Sequence, residues 1–418
     1  MFEPRAFLAS LFDAAVRAAD PLEGIRAHLP EKPKGRTVVI GAGKGAAQMA
    51  QALETLWQAP LSGIVITRYG YGCDTENIEV IEAAHPVPDA AGLAAAKRLV
   101  DAISGLTPDD LVIALICGGG SALLPAPPEG LTLNDEIALN EMLLASGAPI
   151  AAMNVVRKHL STIKGGRLAA ATRARVVTLI VSDIPGDNPA HVASGPTVPD
   201  SSTRHDALDI VREYRLALPQ AALDHLNSER ADAPRPDNPV FAHHSHHIVA
   251  SAAVSLEAAA AAARSVGIEP AILSDAIEGE ARDVAQVHAA IAREIATRDR
   301  PFTKPVVLLS GGETTVTLRS KGGRGGRNGE FALAMALAID GFDIDVLAAD
   351  TDGVDGSESN AGAFCDGSTI HRLRAETLDP KKLLDGNDSY SAFDAINDLF
   401  VTGPSGTNVN DFRAILIR

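Results

Sequence analysis

Apolar positions change their spacing from segment to segment along this chain, and the changes mark out its elements. Near the start, Leu8, Leu11, Phe12, Ala15 and Val16 fall on one face of a helix. A β-branched run over 36–40 then delivers Gly41-Ala42-Gly43-Lys44-Gly45-Ala46 before helical spacing resumes to about Leu56, which predicts a strand, a glycine turn and a helix. Short strands are expected over 63–67 and 78–81, and a helix over 90–104 closed by Gly105. Residues 111–116 are apolar at every position, the mark of a strand covered on both faces, and they open into Cys117-Gly118-Gly119-Gly120-Ser121. Helices over 134–146 and 148–164, the latter stopped by Gly165-Gly166, precede a strand over 175–181 that runs into Ser182-Asp183-Ile184-Pro185-Gly186-Asp187-Asn188.

Strands alternating with helices, with glycine or polar loops after the strands, predict an α/β fold. The first domain reads as a Rossmann-like doubly wound parallel sheet with its ligand site at the C-terminal strand edge. The Pro, Asp and Asn stretch over 231–239 reads as a linker, so domains are expected over 1–235 and 236–418. His243, His244, His246 and His247 read as a loop entering a strand at 248–250, with metal binding the lesser alternative. The second half alternates again: a helix to 265, a strand near 271–273, a helix to about 297, then a strand over 306–309 ending in Ser310-Gly311-Gly312-Glu313. A β-rich segment over 314–318 and a strand over 344–349 ending at Asp350 follow. It is expected to form a smaller α/β domain with a mixed sheet.

Composition narrows the function. The net charge of −16 argues against nucleic acid or an anionic membrane as partner, so an anionic small substrate needs a local cationic pocket. Cys73, Cys117 and Cys365 are widely spaced and odd in number, which indicates neither a disulfide framework nor a zinc knuckle and suggests a reducing, cytoplasmic setting. No secretory signal pattern opens the sequence, and no apolar window reaches the roughly 18 residues of a membrane span.

The stretch from Leu308 to Phe331 carries the clearest chemistry. Gly311, Gly312 and Glu313 follow an apolar run, and Lys321-Gly-Gly-Arg324-Gly-Gly-Arg327-Asn328 leads into an apolar helix. Glycines turn backbone N–H groups toward a ligand, a helix N-terminus favours an anion, and arginine forks grip phosphate or carboxylate. Gly41 to Ala46 fits a loose dinucleotide fingerprint, G-x-G-x-x-A, and so raises an oxidoreductase. Arg68 stands where an acidic ribose partner is expected, which leaves only NADP. Gly43 and Lys44 equally suit a phosphoryl group or a carboxylate, although the spacing is not that of a P-loop.

Gly118, Gly119, Gly120 and Ser121 offer successive backbone donors and a hydroxyl, a nest for an anion; the strained elbow and triad order of a covalent nucleophile are missing. Asp183 and Asp187 in one loop, and Asp350, Asp352 and Asp355 in another, suit Mg²⁺ or a general base for a hydroxyl, with Asp187 and Asp352 assigned to the metal. Arg157, Ser161 and Lys164 share one face of the expected helix, and Thr407 and Asn408 lie in a polar glycine loop before the last strand. Cationic glycine loops beside acidic loops are what phosphoryl transfer from Mg-ATP requires.

Taken in order, GAGKGA, CGGGSALLPAPPEGLTL, MNVVRKHLSTIKGGRLA, VSDIPGDNPAHVASGPTVPD, LLSGGETTV, GGRGGRNGE, DTDGVDG and TGPSGTNVND resemble the glycerate 2-kinase family, whose C-terminal part is the MOFRL domain, here about 305–412. The resemblance implies two α/β domains with the active site in the cleft between them. It implies transfer of the γ-phosphoryl group of ATP to the 2-hydroxyl of D-glycerate with a divalent cation, and places Lys44, Arg324 and Arg327 toward the cleft. A homodimer is left open. Some relatives are called hydroxypyruvate reductase, which keeps an NADPH-dependent reductase as the rival, with a non-catalytic sugar-acid or nucleotide sensor as a third reading. The family usually has Ser at the position of Cys117 and Gln at that of Gly329.

Overall fold

Twelve strands form among the described residues, six in each of two sheets. The computed structural model describes residues 3–199, 201–319, 322–356, 358–405, 407 and 409–418. Strands β1 (Thr37–Ala42), β2 (Ser62–Arg68), β3 (Ile78–Ala83), β4 (Leu111–Cys117), β5 (Arg175–Val181) and β6 (Ser245–Ala250) build the first sheet in the order β3-β2-β1-β4-β5-β6. It is a parallel sheet, as the lateral pairs of β1 with β2 and β4, and of β4 with β5, illustrate. Every residue of β4 is buried, as its unbroken apolar run predicts. Reversal of the strand order at β1/β4 marks the C-terminal edge, beside the loops after those two strands, as the place for a ligand crevice.

Strands β7 (Glu269–Glu280), β8 (Val306–Thr315), β9 (Ile344–Asp350), β10 (Gly362–Asp366), β11 (Leu399–Phe400) and β12 (Asp411–Ile417) form the second sheet in the order β11-β10-β9-β12-β8-β7. It is mixed: β7 pairs with β8 in parallel, while β12 runs antiparallel to both β8 and β9. The chain therefore consists of two α/β domains, one with a parallel and one with a mixed sheet.

By contacts the chain divides into residues 21–249 and a second unit made of 250–418 together with residues up to Asp20. The boundary expected near 235 differs in two respects. Strand β6 lies beyond that point yet completes the first sheet. The helix Pro4–Ala18 belongs with the second unit, because its apolar face of Phe7, Leu8, Leu11, Phe12 and Ala15 is buried with Ala259, Leu309 and Phe412. Phe12 meets Phe400 and Phe412 edge-on at ring separations of 5.0 and 5.7 Å.

Two expected elements are also redrawn. The helix over 148–164 stops at His159, and Ser161 Oγ accepts from the N–H groups of Ile163 and Lys164, a local turn that competes with helix continuation. Lys164 therefore shares no helix face with Arg157. Gly311 and Gly312 are not a loop after β8 but residues inside it, opposite Phe412 and Asp411 of β12. Gly312 has φ +124°, and a β-carbon there would stand 2.2 Å from the Ile277 carbonyl oxygen, so β7 can approach only a glycine.

Candidate functional site

At the β1/β4 crevice the loops are drawn together by backbone bonds. Lys44 N donates to the Gly118 carbonyl at 2.8 Å, Gly45 N donates to Cys117 Sγ at 3.1 Å, and Thr67 Oγ1 donates to the Lys44 carbonyl at 3.0 Å. Glycine is required by this closeness: a β-carbon on Gly118 would stand 1.8 Å from Asp183 Oδ2, and one on Gly43 would stand 2.3 Å from Cys117 Sγ. Lys44, Gly118 and Asp183, from the loops after β1, β4 and β5, thus meet in one place. Lys44 is half-buried, and among the described residues no carboxylate lies within ion-pair distance of its ammonium. An uncompensated, partly desolvated ammonium is a ready partner for an anionic ligand.

His85, just after β3, completes this cluster. A β-carbon on Gly119 would lie 3.0 Å from both His85 Nε2 and Lys44 Cγ, so imidazole and lysine stem flank the same glycine. Burial, then the charges of Lys44 and Arg68, push the imidazole down to about 4, so it is neutral at ordinary pH. The Cys117 thiol is pushed up to about 12 by burial, with Asp183 adding to the effect and the Gly45 N–H opposing it. It is an inert hydrogen-bond acceptor, a task a serine oxygen performs equally well.

Behind Ser121 runs a polar chain. Ser121 Oγ and Ser194 Oγ are 2.8 Å apart, Ser194 Oγ donates to Asn154 Oδ1 at 3.1 Å, and Arg157 Nη1 donates to the same oxygen at 3.4 Å. Arg157 Nε donates to Asn140 Oδ1 at 2.8 Å, and no carboxylate pairs with this guanidinium among the described residues. Ser194 is aimed by unusual backbone: Ala193, Ser194 and Gly195 have φ of +52°, +60° and +58° in succession. Left-handed conformations at the two non-glycine positions cost on the order of 1 kcal/mol each, strain of the kind that collects at functional sites.

In the other unit, Asp411 at the start of β12 is the hub. It accepts from Arg327 Nε at 2.5 Å, Asn328 Nδ2 at 2.9 Å, Thr314 N at 3.0 Å, Thr314 Oγ1 at 3.1 Å, and Arg413 Nη2. Arg327 Nη2 also reaches Asp350 Oδ2 at 2.6 Å, with Glu313 farther off at 3.7 Å. Burial works to raise Asp411, but the Arg413 and Arg327 guanidiniums outweigh it and hold the carboxyl below its usual value. Burial raises Asp350 to about 8, with Arg327 pulling the other way, and raises Asp355 to about 6 against the N–H groups it accepts.

The helix Arg327–Ala338 begins at this hub, and the anion at its N-terminus is internal. Asp355 accepts from Asn328 N at 3.0 Å and Gly329 N at 2.7 Å. The glycines before it serve close packing: β-carbons on Gly325 and Gly326 would stand 2.3 Å from Ser389 Oγ and 2.4 Å from Asp355 Oδ1. Gly329 is buried in the same way, 2.5 Å from Ser389 Oγ by the same measure, so a glutamine here would run into Ser389. Glu313, Glu330 and Arg327 line a groove of about 800 Å³ beneath this loop.

A family model described as a domain of unknown function (DUF4147) matches residues 7–227, and one described as the MOFRL family matches 306–411. A glycerate 2-kinase of Pyrococcus horikoshii is 39% identical, with 97% of this chain and 96% of that protein covered. The crystal structure of a glycerate kinase from Thermotoga maritima superposes with a TM-score of 0.89 at 34% identity, covering 99% of each chain. The chain belongs to the glycerate kinase family. Within it, a protein of Agrobacterium vitis named "Putative hydroxypyruvate reductase" is 50% identical over 99% of this chain and 94% of its own length.

For this glycerate kinase family member, the residues read from sequence fall into three groups. Lys44, Gly43, Gly118, Gly119, Gly120, Ser121 and Asp183 come together at the crevice, and Arg157 joins them through Asn154 and Ser194. Arg327, Asn328 and Glu313 gather at Asp411, separately, in the other unit. The remainder are engaged elsewhere. Lys164 is buried in an ion pair with Glu136 at 2.7 Å, and Gly311 and Gly312 pair with β12. Arg324 binds Glu358 at 2.7 Å and stacks over Tyr390, while Thr407 Oγ1 donates to the Ala19 carbonyl at 2.8 Å. Asp352 Oδ1 accepts from Val354 N at 2.8 Å as a turn residue, and Asp187 stands in the loop after Asp183 with φ +48°. Asn408 lies outside the described residues. Among those described, no three His, Cys, Asp or Glu side chains gather as a metal cage, and no helix is long and apolar enough to cross a membrane.

Sequence reading missed His85, Asn154, Ser194 and Asp411 as parts of these clusters. His85-Pro86 directly after a strand, and Ser194-Gly195-Pro196 within a long polar loop, were the available signals.

His288 gives a pH-dependent signature in the second unit. Its Nδ1 faces the Val284 carbonyl at 2.8 Å and must carry the proton, so Nε2, 3.0 Å from Ser310 Oγ, accepts. Burial, then nearby Arg413, lower it to about 4, with the Val284 bond opposing. A lowered histidine contributes stability that is present above its unfolded value near 6.5 and is lost as pH falls through about 4. Denaturant melts from pH 7 to 4 should show a loss that His288→Gln flattens, bounded at about 3 kcal/mol; equal slopes in both proteins would be the contrary result.

Proposed function

We propose that this chain is an ATP-dependent kinase that phosphorylates the 2-hydroxyl of D-glycerate. The observation that carries the reading is the half-buried, unpaired Lys44, whose stem lies against Gly119 next to the Gly118 that the Asp183 carboxylate approaches. In this reading Lys44 neutralises charge that spreads over the transferring phosphoryl oxygens, and Asp183 accepts the proton of the attacking hydroxyl. The backbone of Gly118 to Gly120 and the neutral His85 shape the pocket around them.

Magnesium, when bound with the nucleotide, supplies charge neutralisation between phosphates. Such an ion keeps several waters and needs only one or two carboxylates, so an open loop carrying Asp187 fits it better than a closed cage. Asp352, also read from the sequence as a metal ligand, accepts from Val354 N through Oδ1 in the other unit and takes no part in this reading.

The rival, an NADPH-dependent hydroxypyruvate reductase, is favoured by the name of the Agrobacterium relative. Against it, the glycine turn after β1 is filled by Cys117, where a pyrophosphate needs open space. One experiment separates them: the protein with D-glycerate, Mg²⁺ and ATP, and in parallel with hydroxypyruvate and NADPH. ADP and 2-phosphoglycerate are the expected products, and NADPH oxidation without ADP formation would replace this reading with the rival.

A further inference from the structure

We infer that the Ser121 hydroxyl is fixed as a hydrogen-bond acceptor and recognises a hydroxyl group of the substrate rather than its carboxylate. The inference rests on the hydroxy-acid reading above and assigns one contact within it.

Proton positions along the polar chain follow from its far end. Arg157 can only donate, so the Asn154 amide presents its oxygen to the guanidinium. Asn154 Nδ2, on the other side, faces the His191 carbonyl at 3.5 Å, which sets the same orientation independently. Asn154 Oδ1 can only accept, so Ser194, 3.1 Å away, must spend its single proton there. The 2.8 Å contact between the two serine oxygens then needs the Ser121 proton, and Ser194 accepts it. Ser121, partly exposed in the short helix that follows the Gly118-Gly119 turn, is left with lone pairs alone.

An oxygen in that state repels a carboxylate or phosphoryl oxygen and binds an O–H donor. Burial secures the polarity: Ser194 and Asn154 are 1% and 4% exposed, so neither finds water as a substitute partner. The strained backbone at Ala193 and Ser194 aims the hydroxyl into this chain. The Gly118 to Ser121 turn is then a mixed cradle, with anions suited to its backbone and a hydroxyl suited to its side chain. Ser194, Asn154 and Arg157 are positioning residues that act through Ser121.

Three acids test this on the whole protein by calorimetry, the weaker ones by displacement of D-glycerate. They are D-glycerate, D-lactate, which lacks the 3-hydroxyl, and 3-hydroxypropionate, which lacks the 2-hydroxyl. Ser121→Ala should weaken D-glycerate about tenfold. It should weaken one mono-hydroxy acid by a similar factor and the other less than twofold, which identifies the hydroxyl that is read. Ser194→Ala, which releases the Ser121 proton, should give the same acid-dependent pattern, whereas a merely structural role would weaken all three alike. Equal weakening of all three by Ser121→Ala, or no weakening of D-glycerate, overturns the inference. If the unaltered protein binds none of the three, the hydroxy-acid reading falls with it; if it binds all three with Ser121 indifferent, only the inference falls.

Discussion

Lys44→Ala is expected to lower kcat for phosphoryl transfer by roughly 10²- to 10³-fold, the scale of losing one charge-stabilising group in a desolvated site. The substitution is clean because the bonds that hold this residue in place belong to its backbone: N–H to Gly118 and carbonyl to Thr67. An alanine keeps both, so what leaves is the stem against Gly119 and the ammonium. A second readout separates lost charge from lost structure. The Lys44 charge helps to hold His85 down near 4, so His85 should titrate at higher pH in the variant, by NMR, while the spectrum otherwise stays native. Near wild-type turnover would take Lys44 out of the mechanism. A KM change for D-glycerate with kcat unaltered would reassign it to ground-state binding.

Asp411→Ala should destabilise the unit that contains it by about 3 to 5 kcal/mol, lowering that unit's Tm by on the order of 10 °C. Arg413 is fully buried, and its Nε and Nη1 have no hydrogen-bond partner, so its charge depends on the one carboxylate. Removing that carboxylate also takes one partner from each of Arg327, Asn328 and Thr314, which join the glycine loop, the following helix and β8 to β12. Replacing both buried partners, as Asp411→Leu with Arg413→Met, should recover part of the loss, because an apolar pair carries no desolvation cost. A Tm within 2 °C of wild type for Asp411→Ala, by calorimetry, would show the hub to be dispensable.

Sequence gave access to features that are periodic or local. The buried parallel strands announced themselves as apolar runs, and the loops after β1, β4 and β5 as glycine or acidic turns, so the crevice could be assembled from Lys44, Gly118 and Asp183. What stayed hidden was the choice of distant partner. Nothing near Lys164 says that Glu136 will neutralise it, and nothing near Arg327 says that Asp411 will. A cation read from sequence looks available until its counter-ion is placed. Glycines misled for a related reason. Those at 311, 312, 325, 326 and 329 admit a neighbouring strand or side chain, whereas a glycine that bares its N–H to a ligand carries the same letter.

The first helix has a consequence for how the molecule is made. Pro4–Ala18 buries its apolar face among residues that begin at Ala252, so during synthesis it waits for a partner made some 230 residues later. At ribosomal speeds that is a delay on the order of tens of seconds, through which Phe7, Leu8, Leu11 and Phe12 have no native partner to cover them. The intervening unit can fold in the meantime, but the later one cannot finish until Pro4–Ala18 packs against it. A chaperone that shields short amphipathic helices on nascent chains would have Pro4–Ala18 to cover through that interval.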